Sequence, residues 1–249
     1  MLHTETVETG TLDLIHRLMH DENLKEFTLV GGTALSLQIG HRQSVDIDLF
    51  NKRDFDTEKL KYYLTERYQA ENIKYGANSV LCFIENVKVD VISHRVPDIK
   101  PTIVEEGIRM ASLEDIGAMK LNAIIRDGTR FKDFVDMYVL LAFKPLEVYG
   151  AAFENKYDTL TRAIAYHSLK YHNDIEPAQL QFMGKELVLP AIAERLQEAV
   201  YNPKQLFDKY LLTIDQSQEL KNEIHREQKL NEELKQIRQG HYRSRGYRL

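Results

Sequence analysis

The stretch "LVGGTALSLQIGHRQSVDIDLF", Leu29 to Phe50, constrains this chain more than any other part of it. An apolar run ends at Gly31-Gly32, where the missing side chains allow a tight turn and a close approach of backbone. "TALSLQIG" has the spacing of a short helix. "SVDIDLF" then sets Val45, Ile47 and Leu49 against Ser44, Asp46 and Asp48, which predicts a half-buried strand with one polar face. A strand, a glycine turn, a helix and a second strand in so short a span commit this region to helices packed on a sheet.

The rest of the chain extends that pattern. Leu12, Leu14, Ile15 and Leu18 predict an opening helix, and "FTLV" predicts the strand that leads into the glycines. "DTEKLKYYLTERY" reads as a helix with Asp56 or Thr57 as its cap. "SVLCFIENVKVDVISHR" reads as a hairpin about Glu85-Asn86, its second arm setting Val87, Val89 and Val91 against Lys88, Asp90 and Ile92. Pro97 and Pro101 mark a loop. "SLEDIGAMKLNAIIRD" opens with the capping pattern of Ser112 and Asp115, Gly128-Thr129 ends it, and "RFKDFVDMYVLLAF" makes the next helix. Beyond Pro145 the strand signals fade, and "PLEVYGAAFENKY", "DTLTRAIAYHSLKYH" and "LPAIAERLQEAVY" all read as helical. The expected class is α+β. A small mixed sheet flanked by helices spans residues 1–144, a helical region spans 145–214, and a polar helix with a basic tail spans 215–249.

Composition narrows the functional classes. A chain of 249 residues with 43% hydrophobic residues can bury a sizeable core. Its single cysteine, Cys82, excludes an internal disulfide and a cysteine zinc cluster, and within "SVLCFIENV" it reads as a buried strand thiol. "MLHTETVETG" lacks the apolar core of a signal peptide, and no run approaches the roughly 20 apolar residues of a membrane span. The expectation is a cytoplasmic protein without membrane contact. A net charge of −5 gives no global pull toward nucleic acid, yet Lys235, Arg238, Arg243, Arg245 and Arg248 make the last stretch basic.

Residues two apart on a strand share a face, so Asp46 and Asp48 are expected to project together. Two ionised carboxylates this close repel, and burying them without a partner is costly. A solvated strand edge is one resolution. The other is a divalent cation: magnesium takes one or two carboxylates and completes its shell with water and substrate phosphate. The Gly31-Gly32 turn adds backbone amides at a helix N-terminus, which suit an anion, although a structural tight turn alone also accounts for the glycines. Thr33 can cap that helix or meet a phosphate oxygen. Asp90, between valines on a predicted strand, is either an acid on an exposed hairpin edge or the third carboxylate of a metal site. Lys120 lies on an otherwise apolar helix, where lysine commonly snorkels to the surface. Asp133 and Asp136 are three apart and roughly share a helix face. Arg126 and Arg130 could pair with them or face phosphate, and Arg42 and Ser44, just before the strand of Asp46, are further phosphate-binding candidates. His167 and His172 fit surface positions better than zinc ligation. Tyr157, Tyr166 and Tyr171 read as core and rim residues of a helical bundle, with stacking on a base as the alternative.

Three of these motifs, in this order, resemble the AbiEii/AbiGii toxin family of nucleotidyltransferases, within the DNA-polymerase-β-like superfamily. "VGGTALSLQIGHRQSVDIDLF" is similar to the family's first motif, and "VKVDVI" to the strand of its third carboxylate. "DIGAMKLNAIIRDGTRFKDFVDMYVLL" is similar to its helical segment, with a lysine on one helix and a KDxxD cluster on the next. The resemblance covers residues 25–142. It implies that Gly31, Gly32 and Thr33 hold nucleotide phosphates and that Asp46, Asp48 and Asp90 bind Mg²⁺. Lys120 would contact the triphosphate as a point charge, and Asp133, or else Asp136, would be the later essential aspartate. Gly-Gly-Thr stands where many superfamily members have Gly-Ser, and threonine keeps the hydroxyl.

The activity so implied is transfer of a nucleoside monophosphate from an NTP to an acceptor hydroxyl, with pyrophosphate released and Asp90 polarising the hydroxyl. The resemblance further implies an RNA acceptor such as a tRNA 3′ end, growth arrest, and a cognate antitoxin. The basic tail fits an RNA acceptor, or is a solvated terminus. Transfer to a small molecule or a protein is the alternative enzyme. A non-catalytic nucleotide-binding protein that acts through protein contacts is the alternative of another class, against which the intact Asp46, Asp48, Asp90 and Lys120 argue.

Overall fold

Strand β1, Thr28–Val30, passes directly into helix α2, Gly31–Ile39, in the computed structural model of the chain, which describes residues 1–176 and 178–208. Helix α1, Thr9–His20, precedes them. Strand β2, Ile47–Asn51, and helix α3, Thr57–Tyr68, come next, followed by β3, Glu71–Gly76, β4, Ser79–Ile84, and β5, Val87–Ser93. Two short strands, β6 (Ile103–Glu105) and β7 (Ile108–Met110), lead to the long helix α4, Leu113–Arg126, and to α5, Phe131–Leu140. Helices α6 (Leu146–Lys156), α7 (Arg162–Leu169) and α8 (Leu189–Tyr201) complete the described chain. The architecture is α+β.

The strands form one mixed sheet in the order β3-β4-β5-β2-β1-β7-β6. β1 runs antiparallel to β2, and β2 runs parallel to β5. Alternation divides the central strands into two faces. Leu29, Ile47, Leu49, Val89 and Val91 are buried in the core, whereas Val30, Asp48, Phe50, Asp90 and Ile92 point the other way. α4 packs against α2, α5, α6 and α7, and α8 packs on α5, so the helices after Pro145 share one compact unit with the sheet.

Local chemistry explains most boundaries. Asp56 caps α3 by accepting the Lys59 amide at 3.0 Å, and Ser112 caps α4 by accepting the Asp115 amide at 3.1 Å. The β4–β5 hairpin turns at Glu85 and Asn86, both at positive φ, as the sequence predicts. Cys82 is buried on β4, where its surroundings raise its pKa to about 11.

Three features differ from the sequence reading. β3 is a strand not predicted from the sequence, built from "ENIKYG", an exposed edge interrupted by a bulge, so no face of it alternates. β6 and β7 are three residues each, too short for periodicity, and are joined by Glu106 and Gly107 at positive φ. The strand expected from Ser44 begins only at Ile47: Ser44 is buried, its amide bonded to the Thr6 carbonyl at 3.0 Å, and Val45 is 57% exposed. The preceding Gln43 amide is likewise held by the Gln181 carbonyl at 2.8 Å, so a distant segment pulls residues 42–44 out of the strand. The polar helix and basic tail expected over 215–249 lie outside the described residues.

Candidate active site

Register places the acids. Asp48 on β2 pairs with Asp90 on β5, and Val30 on β1 pairs with Asp48 from the other side. The two carboxylates therefore stand on neighbouring strands with Gly31 beside them. Gly31 adopts φ +71, a conformation that favours glycine, and a Cβ there would fall 2.3 Å from Asp48 Oδ2. A Cβ on Gly32 would fall 2.6 Å from the Arg42 guanidinium. Gly31 is required by its backbone conformation and by close approach, Gly32 by close approach alone. The N-cap of α2 is Val30, which offers no side-chain hydrogen bond, so the first-turn amides of that helix keep no side-chain cap.

Gly31, Gly32, Arg42, Ser44, Asp46, Asp48, Lys120, Arg126 and Asp133 all line one cavity of about 640 Å³. Thr33 does not face it. Its hydroxyl is buried, donating to the Asp46 carbonyl and lying 2.9 Å from the Ser44 hydroxyl, where it ties α2 to the approach of β2. Arg42 reaches the cavity with its guanidinium held by Asp136, Nε at 2.8 Å and Nη2 at 3.0 Å. Of the two arginines that could pair or face phosphate, Arg130 lies 3.3 Å from Asp133 Oδ2. Arg126 is exposed to the cavity, with Asn122 Oδ1 3.4 Å from its Nε.

Lys120 is not a snorkelling surface residue. It is buried, 2.7 Å from Asp133 Oδ1 and 2.6 Å from Asp136 Oδ2. Burial alone would lower its pKa, yet Asp136 and Asp133 hold it above the ordinary lysine value. Asp136 is an anchor rather than a wall residue. Burial would raise its pKa, but Arg42, Lys120 and a 2.8 Å hydrogen bond with His41 hold it well below the usual carboxylate range. Asp133 differs: it lines the cavity, and its buried Oδ2 has no aligned hydrogen-bond donor despite the nearby Arg130.

The three clustered acids are unequally neutralised. Asp90 Oδ2 receives Lys88 Nζ at 2.5 Å, and Asp46 Oδ2 lies 3.5 Å from Lys132 Nζ. Asp48 has no such direct partner among the described residues, and burial followed by the nearby Asp90 charge raises its pKa. Asp90 Oδ1 is buried with no hydrogen bond. No three His, Cys, Asp or Glu side chains among the described residues are gathered to hold a metal by themselves. What they do fit is a hard cation held by the adjacent carboxylates of Asp48 and Asp90, with the remaining ligands drawn from water and substrate oxygens. The elevated Asp48 pKa and the unpartnered Asp90 oxygen are what such an ion would relieve.

Several residues of this site were not singled out from the sequence. Lys88 had a signal, since it lies two before Asp90 on the same strand face, and His94 lies four after it, at the end of that face. His41 and Asn122 had none beyond their residue types, because each is brought in by a different helix or loop.

The chain matches the family described as "Nucleotidyl transferase AbiEii toxin, Type IV TA system" over residues 13–243. It is 28% identical over 158 residues to the uncharacterized protein aq_aa25 of Aquifex aeolicus (strain VF5), a match spanning 60% of this chain and 75% of that one. Among solved structures, JHP933 from Helicobacter pylori is 18% identical with a TM-score of 0.45, over 90% of this chain and 99% of the other. The Megavirus polyadenylate synthase is 19% identical with a TM-score of 0.38, over 55% of this chain and 33% of that one. Among the described residues no helix is long and apolar enough to cross a membrane.

Proposed function

This chain belongs to the nucleotidyl transferase AbiEii toxin family, and we propose that it moves a nucleoside monophosphate from an NTP to an acceptor hydroxyl in a magnesium-dependent reaction. One observation carries the reading: Asp48 lines a cavity with the Gly31 turn and Lys120, and Asp90 stands directly beside it on the neighbouring strand. The uncapped first-turn amides of α2 suit the phosphates of the triphosphate, with Ser44 and Arg42 beside them. Lys132, Arg126 and Arg130 on the same wall offset its charge. Magnesium held by Asp48 and Asp90, with Asp46 joining on release of Lys132, would supply charge neutralisation at the phosphate oxygens. Asp90, beside Asp48, is the group to polarise the attacking hydroxyl and draw off its proton. The hydroxyl oxygen bonds to the α-phosphorus, the α-phosphorus bond to the bridging oxygen breaks, and pyrophosphate leaves. Lys120 sits in the wall as a fixed positive charge, its orientation set by Asp133 and Asp136.

The family's description as the toxin of a type IV toxin–antitoxin system supports an NTP substrate and a cognate antitoxin. We take the acceptor to be RNA, with a tRNA 3′ end as the leading case, and the setting to be the cytoplasm. Incubating the purified chain with each α-labelled NTP, Mg²⁺ and total RNA tests the reading. Label in RNA of tRNA size supports it in full. Label in protein or small molecules instead keeps the transfer and replaces the acceptor. No incorporation from any NTP would overturn it.

A further inference from the structure

Three rings end the cavity on the side away from the phosphate cradle. β1 runs antiparallel to β2, so Gly31 lies beyond Asp48 toward Asp46, while Phe50 lies beyond Asp48 in the other direction, opposite Thr28. With a strand rise of about 3.3 Å per residue, Phe50 is roughly 7 Å from Asp48 along β2 and His94 is roughly 13 Å from Asp90 along β5. That is the span of a ribose and its base beyond an α-phosphate set at the carboxylates.

The rings form a continuous wall. Phe50 and His94 have centroids 5.0 Å apart, and His94 and Tyr157 are 5.9 Å apart, both pairs tilted. His94 Nε2 lies 3.3 Å from the Tyr157 hydroxyl. Tyr157 comes from the C-terminal end of α6 and is backed by the fully buried Phe153 at 5.4 Å. A core aromatic cluster would be sealed as Phe153 is. Phe50, His94 and Tyr157 instead stay partly exposed, and all three line the cavity. Phe50 and His94 also border a second cavity of about 380 Å³, so they form a partition at this end of the first. Burial, and then the charges of Lys156 and Arg126, lower the pKa of His94 to about 4, which leaves an uncharged ring at neutral pH.

We propose that Phe50, His94 and Tyr157 are the base subsite: the nucleobase of the transferred nucleotide lies against their wall while its triphosphate extends toward Gly31. The proposal rests on the nucleotidyl-transfer reading above. Aromatic rings stack any base through its π-face, and Asn122, which lines the same cavity, is a polar group for the edge of the base.

The test compares two ligands on the full chain with Mg²⁺ and no acceptor: inorganic tripolyphosphate, and whichever of the four NTPs binds wild type most tightly. Calorimetry gives both affinities, and thermal melting confirms that each variant is folded. Tyr157→Leu is expected to weaken NTP binding roughly tenfold, within the range that base–aromatic stacking gives, and to leave tripolyphosphate binding unchanged. Tyr157→Phe, which keeps the ring, is expected to keep the wild-type NTP affinity. Loss of both ligands together in Tyr157→Leu, or loss of neither, overturns the base subsite and leaves the transfer reading standing. A wild-type chain that binds neither ligand overturns both.

Discussion

Oδ2 of Asp48 lies 2.3 Å from where a Cβ on Gly31 would be, so the two residues share a space that admits only glycine. Gly31→Ala therefore has two costs. Its φ of +71 is strained for alanine by about 1–2 kcal/mol, and the methyl group displaces the carboxylate beside it. The expected result is a melting temperature several degrees lower together with loss of nucleotidyl transfer. Melting and label incorporation on the same preparation check it; an alanine variant with wild-type turnover would refute the placement of Asp48 against the cradle.

Asp48 separates stability from activity. It is a half-buried acid beside Asp90 with no direct cation of its own among the described residues. Asp48→Asn removes one of the repelling charges at nearly constant shape, so its metal-free melting temperature should equal or exceed that of wild type while transfer is lost. Mg²⁺ should raise the melting temperature of wild type, because it binds the folded chain, and should do so less for the variant. An equal Mg²⁺ shift in both would remove Asp48 from the metal site.

Lys120 is expected to matter to the fold as well as to the reaction. Taking its ammonium away leaves Asp133 and Asp136 buried without it, a loss of about 3–5 kcal/mol for a broken buried pair. Lys120→Met should therefore melt early. Adding Asp133→Asn removes the stranded charge, and the double variant should lose less stability than the two single changes summed. Denaturant titrations of the four proteins give that coupling. Additive losses would show that the pair contributes nothing as a pair.

Acid should unfold this chain through two buried carboxylates. Asp136 sits below its ordinary pKa against Arg42 and Lys120. Burial would raise Asp115, but Lys156 at 2.6 Å, Ser112 and the Ile99 amide lower it. A depressed folded pKa stabilises above the unfolded value of about 3.9 and is lost as pH falls through the folded value. Stability is thus expected to hold from neutrality to about pH 4 and then to fall steeply. In Asp115→Asn the loss below about pH 4 should be shallower, because one of the two titrating groups is gone. A parallel acid limb in the variant would exclude Asp115 as a contributor.

Much of this was legible in the residues. Period-two alternation fixed which sides of β2 and β5 face the core, because a one-residue slip would expose Leu49 and Val91. The caps at Asp56 and Ser112 were equally plain, since a side-chain acceptor three residues before a free amide is a local matter. β3, β6 and β7 were not legible: an exposed edge and two three-residue arms carry no apolar period of their own.

By itself the sequence determined the glycine turn, the order of the acids and lysine, and the family they resemble, because these depend on residue type and short spacing. Tertiary structure alone decided which of those groups are free. Arg42 and Lys120 are both cations on the cavity wall, but Asp136, about ninety and sixteen residues away, holds each in a buried network. Thr33 is turned from the cavity by the carbonyl of Asp46, and Tyr157 is carried onto its wall by a helix with no motif. Such choices depend on long-range packing, where a side chain's partner is set by which elements meet and not by its neighbours in sequence.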